Sequence, residues 1–402
     1  MLIERKNLKA DNIILFTICF FLYSGYYLGL EVIISLGLIE YSRFYSVPLR
    51  LILSVFMLIY IIKKINIKFS NLTLITFILM IGFFIQYIMM LCLNINSQIY
   101  MLDKIEYIFY FLSYSVFVFL YFFVTDFNKK VVIIAFIYSG FFLSLMTSYL
   151  YWDVFLGGVG RISRLVYQGN NDFISPLALS YASVINFLMG WLYFKEYQEK
   201  RFYLNIIVLV MILLSIPMFI LGASRGSFVS GFLIVVYIFS FSNIRTKILS
   251  LFIIPIFVYA LYYVTIITGS NAFERFLGIK DAVDHNDSSA ARLDMWSTGI
   301  NYFYSSPLYG GYLEVGGIYP HDIFVEILMN TGLFGFFCLF IPVLILFIFG
   351  VRYTIVEKTF FIPLIFIMGF SMHLFSGSIY VAPILFASLG LLLNRLNTKL
   401  IL

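Results

Sequence analysis

The chain has 402 residues, of which 62% are hydrophobic and only 11% charged, with a mean hydropathy of +1.00; soluble proteins are about one-half apolar and one-quarter charged. A water-soluble globule is excluded. The formal charge of +6 comes from basic residues spread over short polar segments, with no basic run interleaved with aromatics, so the sequence argues for a topology signal and against nucleic acid.

Apolar runs of about 20 residues, long enough to cross about 30 Å of hydrocarbon as helices, recur from end to end. They predict an all-α polytopic membrane protein, residues 1–402 forming one integral domain, with spans near 13–36, 47–62, 72–93, 104–124, 131–151, 173–194, 203–222, 227–242, 248–267, 332–350, 359–378 and 380–394. That is about twelve spans. The first run has no small-residue cleavage site and is read as a retained helix. Cys19, Cys92 and Cys338 fall inside apolar spans with no metal-ligand spacing, so neither a disulfide framework nor a metal site is expected.

With the N-terminus inside, the cytoplasmic segments collect Arg5, Lys6, Lys9, Lys63, Lys64, Lys68, Lys129, Lys130, Lys195, Lys200, Arg201, Arg245, Lys247, Arg352, Lys358, Arg395 and Lys399. The opposite topology inverts this bias, so both termini are expected in the cytoplasm.

Two segments on the other side are too long for turns, 152–172 and 268–331. The second is expected to form an external subdomain. In it, Ser288 and Ser289 can cap a helix running to about Ser305, with Leu293, Trp296, Ile300 and Phe303 as one apolar stripe. Ser306-Pro307, Gly310-Gly311 and Gly316-Gly317 are turn signals, and a second helix is expected from near Pro320.

Topology does not explain the arginines expected on the external side: Arg161, Arg164, Arg225, Arg275 and Arg292. Each is either an ordinary aqueous or lipid-facing charge or part of a set that binds a polyanion, for which the planar guanidinium fork suits phosphate. Arg225 sits in the turn GASRGS, where a snorkelling role competes with a functional one. Arg292 flanks the apolar stripe, either solvated, paired with Asp294, or in a site. His321 opens the helix HDIFVEIL, with Asp322 and Glu326 four residues apart on one face. Histidine is readily tuned to accept a proton near neutral pH, although a capping role for this cluster competes. His285 and His373 read as structural.

In order along the chain, SRGS at 224–227, ARLDMWSTGINYFYSSPLYGG at 291–311, YPHDIFVEIL at 319–328 and NTGLFG at 330–335 resemble the O-antigen polymerase and O-antigen ligase superfamily of bacterial envelope glycosyltransferases. The family commonly has histidine-asparagine where this chain has His321-Asp322. The resemblance implies a C-type, inverting, metal-independent transferase of the inner membrane, needing no cofactor. It would act on the periplasmic face, with undecaprenyl-pyrophosphate-linked glycan as donor and acceptor and a chain-length regulator protein as a candidate partner. It assigns Arg225 and Arg292 to the pyrophosphate, His321 with Asp322 to proton abstraction, Glu326 to orienting His321, and Arg161, Arg164 and Arg275 to guiding anionic lipid or glycan. Polymerase is favoured over ligase by the richness in Phe, Ile, Tyr and Lys, an association only. A flippase or transporter is a further alternative, which the scarcity of charge within the spans disfavours.

Overall fold

A computed structural model describes residues 2–64, 68–93, 102–157, 175–197, 201–267 and 288–401. Regular structure there is helical apart from a single bridge between Val315 and Ile318. Among the described residues, seven helices are long and apolar enough to cross a membrane: Ser42–Lys64, Asn71–Leu93, Lys104–Val124, Lys129–Leu156, Pro176–Glu196, Phe202–Gly222 and Ile323–Glu357.

The count of about twelve is not reached among the described residues. The run 13–36 breaks into two helices bent by 60°, which give an eighth span only if taken together. Arg225–Phe241 and Phe361–Phe375 have 17 and 15 residues, about 26 and 23 Å at 1.5 Å per residue, short of the hydrocarbon thickness. The run 248–267 lies in the 24-residue helix Ile244–Ile267, and the run 380–394 takes in the end of the 3-10 helix Ile379–Val381 and the first part of Pro383–Ile401.

The chain forms two compact units, Met1–Leu53 with Asn128–Gly278, and Ser54–Phe127 with Ile279–Leu402. In the first, helices are joined by small residues and polar pairs, as expected where lipid supplies no hydrophobic drive between helices. The Asn186 amide donates to the Ser215 hydroxyl at 2.9 Å and to the Gly140 carbonyl at 3.4 Å, and the Ser180 and Ser227 hydroxyls bond each other. Gly222 lies so close to helix Pro176–Glu196 that a Cβ would fall 2.6 Å from the Pro176 carbonyl oxygen.

The second unit holds the segments that concern function. Its elements are α1 (Asn71–Leu93), α2 (Lys104–Val124, with a π-turn at Leu112–Val116), α3 (Ser288–Ser305), α4 (Ile323–Glu357), α5 (Phe361–Phe375) and α6 (Pro383–Ile401). Phe84 contacts Phe111, Phe119 and Phe386 and knits α1, α2 and α6 together. A Cβ on Gly390 would lie 2.4 Å from the Phe119 carbonyl oxygen, so α6 and α2 are in backbone contact.

Between α3 and α4 the glycine signals are met by tight turns. Gly316 and Gly317, with φ of 62° and 83°, close a two-residue turn between the mutually bonded Val315 and Ile318, a geometry that needs positive φ at both central positions. Helix α4 is interrupted at Gly332, with φ 64° and ψ −165°. The break frees backbone groups that the preceding turn satisfies. Leu333 and Phe334 amides donate to the Pro307 and Leu308 carbonyls at 2.8 and 3.1 Å, and the Met329 carbonyl accepts from Gly311 and Tyr312. The stretch Ile323–Thr331 is thus a separate helical segment ahead of the apolar run that begins at Leu333. The predicted stripe on α3 is divided: Leu293 and Ile300 are 50% and 40% exposed, while Trp296 and Phe303 are half-buried. Close packing on α4 is made at Gly299, whose missing side chain lets α3 approach Val325 and Met329.

Candidate functional site

The site of the second unit is built around the connection Phe375–Val381, between α5 and α6. Its backbone carbonyls receive side chains from distant parts of the chain. The Arg292 guanidinium, reaching from α3, donates to the Phe375 carbonyl at 3.3 Å. The next carbonyl, of Ser376, faces the Tyr319 hydroxyl at 3.3 Å and His321 Nδ1 at 3.4 Å. Ser115 Oγ, from the π-turn of α2, donates to the Ile379 carbonyl at 3.0 Å. His373 lies between the Gly369 and Val381 carbonyls, at 2.8 and 3.1 Å.

The segment that carries His321 is fixed on its other side as well. Trp296 Nε1, on α3, donates to the Pro320 carbonyl at 2.8 Å. His321 has a φ of 59°, the left-handed region that few side chains occupy. The Tyr319 ring packs edge-on to its imidazole, 4.4 Å between centroids. Because a carbonyl only accepts, Nδ1 is the protonated nitrogen of the neutral ring, and the lone pair belongs to Nε2. Burial, reinforced by the Arg292 charge, pushes the His321 pKa below 6.5, against a small opposing effect of the Ser376 contact. The imidazole is held neutral, the form that accepts a proton. Burial pushes the Tyr319 phenol up to about 12, so its hydroxyl keeps its proton and serves as a donor.

Asp322 and Glu326 are held quite differently. Asp322 caps α4: its Oδ1 accepts from the Phe324 and Val325 amides at 2.9 and 3.0 Å. Burial raises its pKa and those two amides oppose the rise. The helix therefore starts at Ile323, three residues later than expected from Pro320. Glu326, one turn further on, is fully buried. It accepts from the Ser378 hydroxyl and from the Ile379 amide at 3.1 Å, so its hydrogen bonds run to the Phe375–Val381 connection.

Of the residues singled out in the sequence, Arg292, His321, Asp322 and Glu326 are thus gathered in one unit. Arg225 belongs to the other unit. It is the first residue of helix Arg225–Phe241, half-buried, after the left-handed Ala223 and the capping Ser224. Arg161, Arg164 and Arg275, and the histidine at 285, lie outside the described residues. Sequence reasoning missed Tyr319, Glu314, Tyr107 and the serines 376 and 378. Tyr107 donates to the buried carboxylate of Glu314, and its ring meets Tyr380 at 5.0 Å. The available signal was Ser-Gly-Ser directly after an apolar run, where a tight backbone path is to be expected.

Residues 209–340 match the O-Antigen ligase family. This region is similar to that family, in line with the superfamily resemblance of its motifs. The match covers Arg225, Arg292, His321, Asp322 and Glu326. No curated protein matches the chain. The match and the apolar helices together point to a multi-pass membrane protein of O-antigen ligase or polymerase type.

Proposed function

We propose that the protein polymerises undecaprenyl-pyrophosphate-linked oligosaccharide units into an O-antigen or capsule-type polysaccharide by inverting, metal-independent glycosyl transfer. The observation that carries this reading is the seating of Arg292 and His321 on the consecutive carbonyls of Phe375 and Ser376, which brings a fixed positive charge and a neutral imidazole together.

In the step this supports, an acceptor hydroxyl attacks the anomeric carbon of the donor while the bond from that carbon to the pyrophosphate oxygen breaks. The bonding electrons leave with the pyrophosphate, and the hydroxyl proton passes to His321 Nε2. Arg292 stabilises the charge that grows on the leaving group. Attack opposite the departing bond inverts the anomeric centre. On the family resemblance, Arg225 is a second phosphate ligand, and Arg161, Arg164 and Arg275 guide the anionic lipid or glycan. Asp322 is assigned to capping α4, which keeps His321 at the helix start. On the family resemblance the protein works in the inner membrane with its site facing the periplasm, and on the basic bias of the loops its termini lie in the cytoplasm.

The matched family favours a second reading, transfer of the finished glycan to lipid A-core, since its description is O-Antigen ligase. Deleting the gene and separating the surface polysaccharide by size decides. Polymerase function predicts single-repeat product, ligase function predicts unattached polymer, and an unchanged ladder defeats both.

A further inference from the structure

We propose that Glu326 is a positioning residue that acts on Arg292 and His321 through the Phe375–Val381 connection, without touching substrate. The proposal rests on the functional reading above and assigns Glu326 a role different from direct orientation of His321.

Arg292 and His321 sit on elements separated by a glycine-rich segment, and what they share is a backbone stretch: consecutive carbonyls at Phe375 and Ser376. Those carbonyls are useful only if that stretch is held still. No regular secondary structure fixes residues 376–378; the Ser376 and Gly377 amides bond back to the Met372 carbonyl and the Val381 amide to the Ser378 carbonyl, and the remaining restraint comes from side chains. Glu326 supplies two bonds, to the Ser378 hydroxyl and the Ile379 amide, two and three residues beyond the Ser376 carbonyl. Ser115 supplies another, on Ile379. A fully buried acceptor exchanges its hydrogen bonds poorly with water. Glu326 also lies in the short segment Ile323–Thr331, which begins directly after His321 and its capping Asp322. The carboxylate therefore closes a loop: the segment that starts beside the imidazole clamps the backbone that receives it.

A glutamine keeps a carbonyl oxygen able to accept from Ile379 and Ser378, whereas alanine keeps none. The full-length chain in nanodiscs is assayed with lipid-linked oligosaccharide as donor, for native protein, Glu326→Gln, Glu326→Ala and Ser378→Ala. Glu326→Gln is expected to lose about threefold in kcat/KM and Glu326→Ala more than about thirtyfold, with Ser378→Ala between them. In Glu326→Ala donor KM rises and kcat falls together, because both Arg292 and His321 lose their seat; a smaller fraction of folded protein lowers kcat alone. Hydrogen–deuterium exchange over residues 376–381 reads the clamp without any activity: it should accelerate in Glu326→Ala and stay near native in Glu326→Gln. Native exchange in Glu326→Ala, or glutamine as damaging to kcat/KM as alanine, overturns the proposal. If the native protein fails to turn over lipid-linked glycan, the proposed reaction is refuted and the exchange comparison still decides the clamp.

Discussion

His321 and Ser376 meet side chain to backbone: imidazole Nδ1 faces the Ser376 carbonyl oxygen at 3.4 Å, which directs the lone pair of the neutral ring to Nε2. The neutral ring is the active base, so activity must fall as pH drops through its pKa. Burial first, and Arg292 second, hold that pKa below 6.5. The acid limb of kcat/KM is therefore expected below pH 6.5. Removing the Arg292 charge in Arg292→Gln moves the limb upward. A limb that stays in place in Arg292→Gln separates the two groups.

Asp322 provides a second test, because capping and proton abstraction respond oppositely to one substitution. Asparagine caps a helix about as well as aspartate, while alanine costs about 1 kcal/mol. Asp322→Asn is expected to keep most of the activity, and Asp322→Ala to lower the unfolding midpoint in detergent. Loss of turnover in Asp322→Asn at native stability makes the carboxylate a base.

Arg225→Lys and Arg292→Lys keep charge and discard the planar fork. If each arginine binds phosphate through paired contacts, activity drops at least about tenfold, roughly 1.4 kcal/mol, at normal abundance in the membrane. A solvated arginine tolerates lysine. Lysine variants with native kcat/KM remove that residue from the phosphate site.

Gly332→Ala should be strongly destabilising. The residue has φ 64°, and a Cβ there would lie 2.4 Å from the Leu308 backbone carbon. Strain of this kind costs about 1–3 kcal/mol, and relieving it separates the 307–308 carbonyls from their amide donors. The check is thermal unfolding of the purified protein, where a native midpoint would show that the break in α4 is optional.

Topology is testable without activity. Reporters fused near Lys130, Arg201 and Arg352 are expected to report cytoplasm, and one near Asp287 the other side. A cytoplasmic signal at Asp287 removes the periplasmic site.

Much was legible in the sequence alone because it depends on neighbours along the chain. Hydropathy over about 20 residues located the helices, Gly316-Gly317 announced its turn, and the division between an amphipathic segment and an apolar span near residue 332 falls at the observed break. The superfamily was visible in ordered short motifs that include Arg225, Arg292 and His321. What the sequence could not settle depends on groups far apart in the chain. Where each helix ends follows from where backbone bonding stops. Whether Leu293 or Gly299 marks the packed face of α3 depends on α4, because only contact with Val325 and Met329 makes a missing side chain favourable. Asp322 and Glu326 look equivalent at a spacing of four. They differ because one carboxylate meets the free amides of its own helix end, and the other meets Ser378 and Ile379, more than fifty residues away. Hydrogen-bond partners at that separation are chosen by packing, and only the tertiary structure brings them within reach.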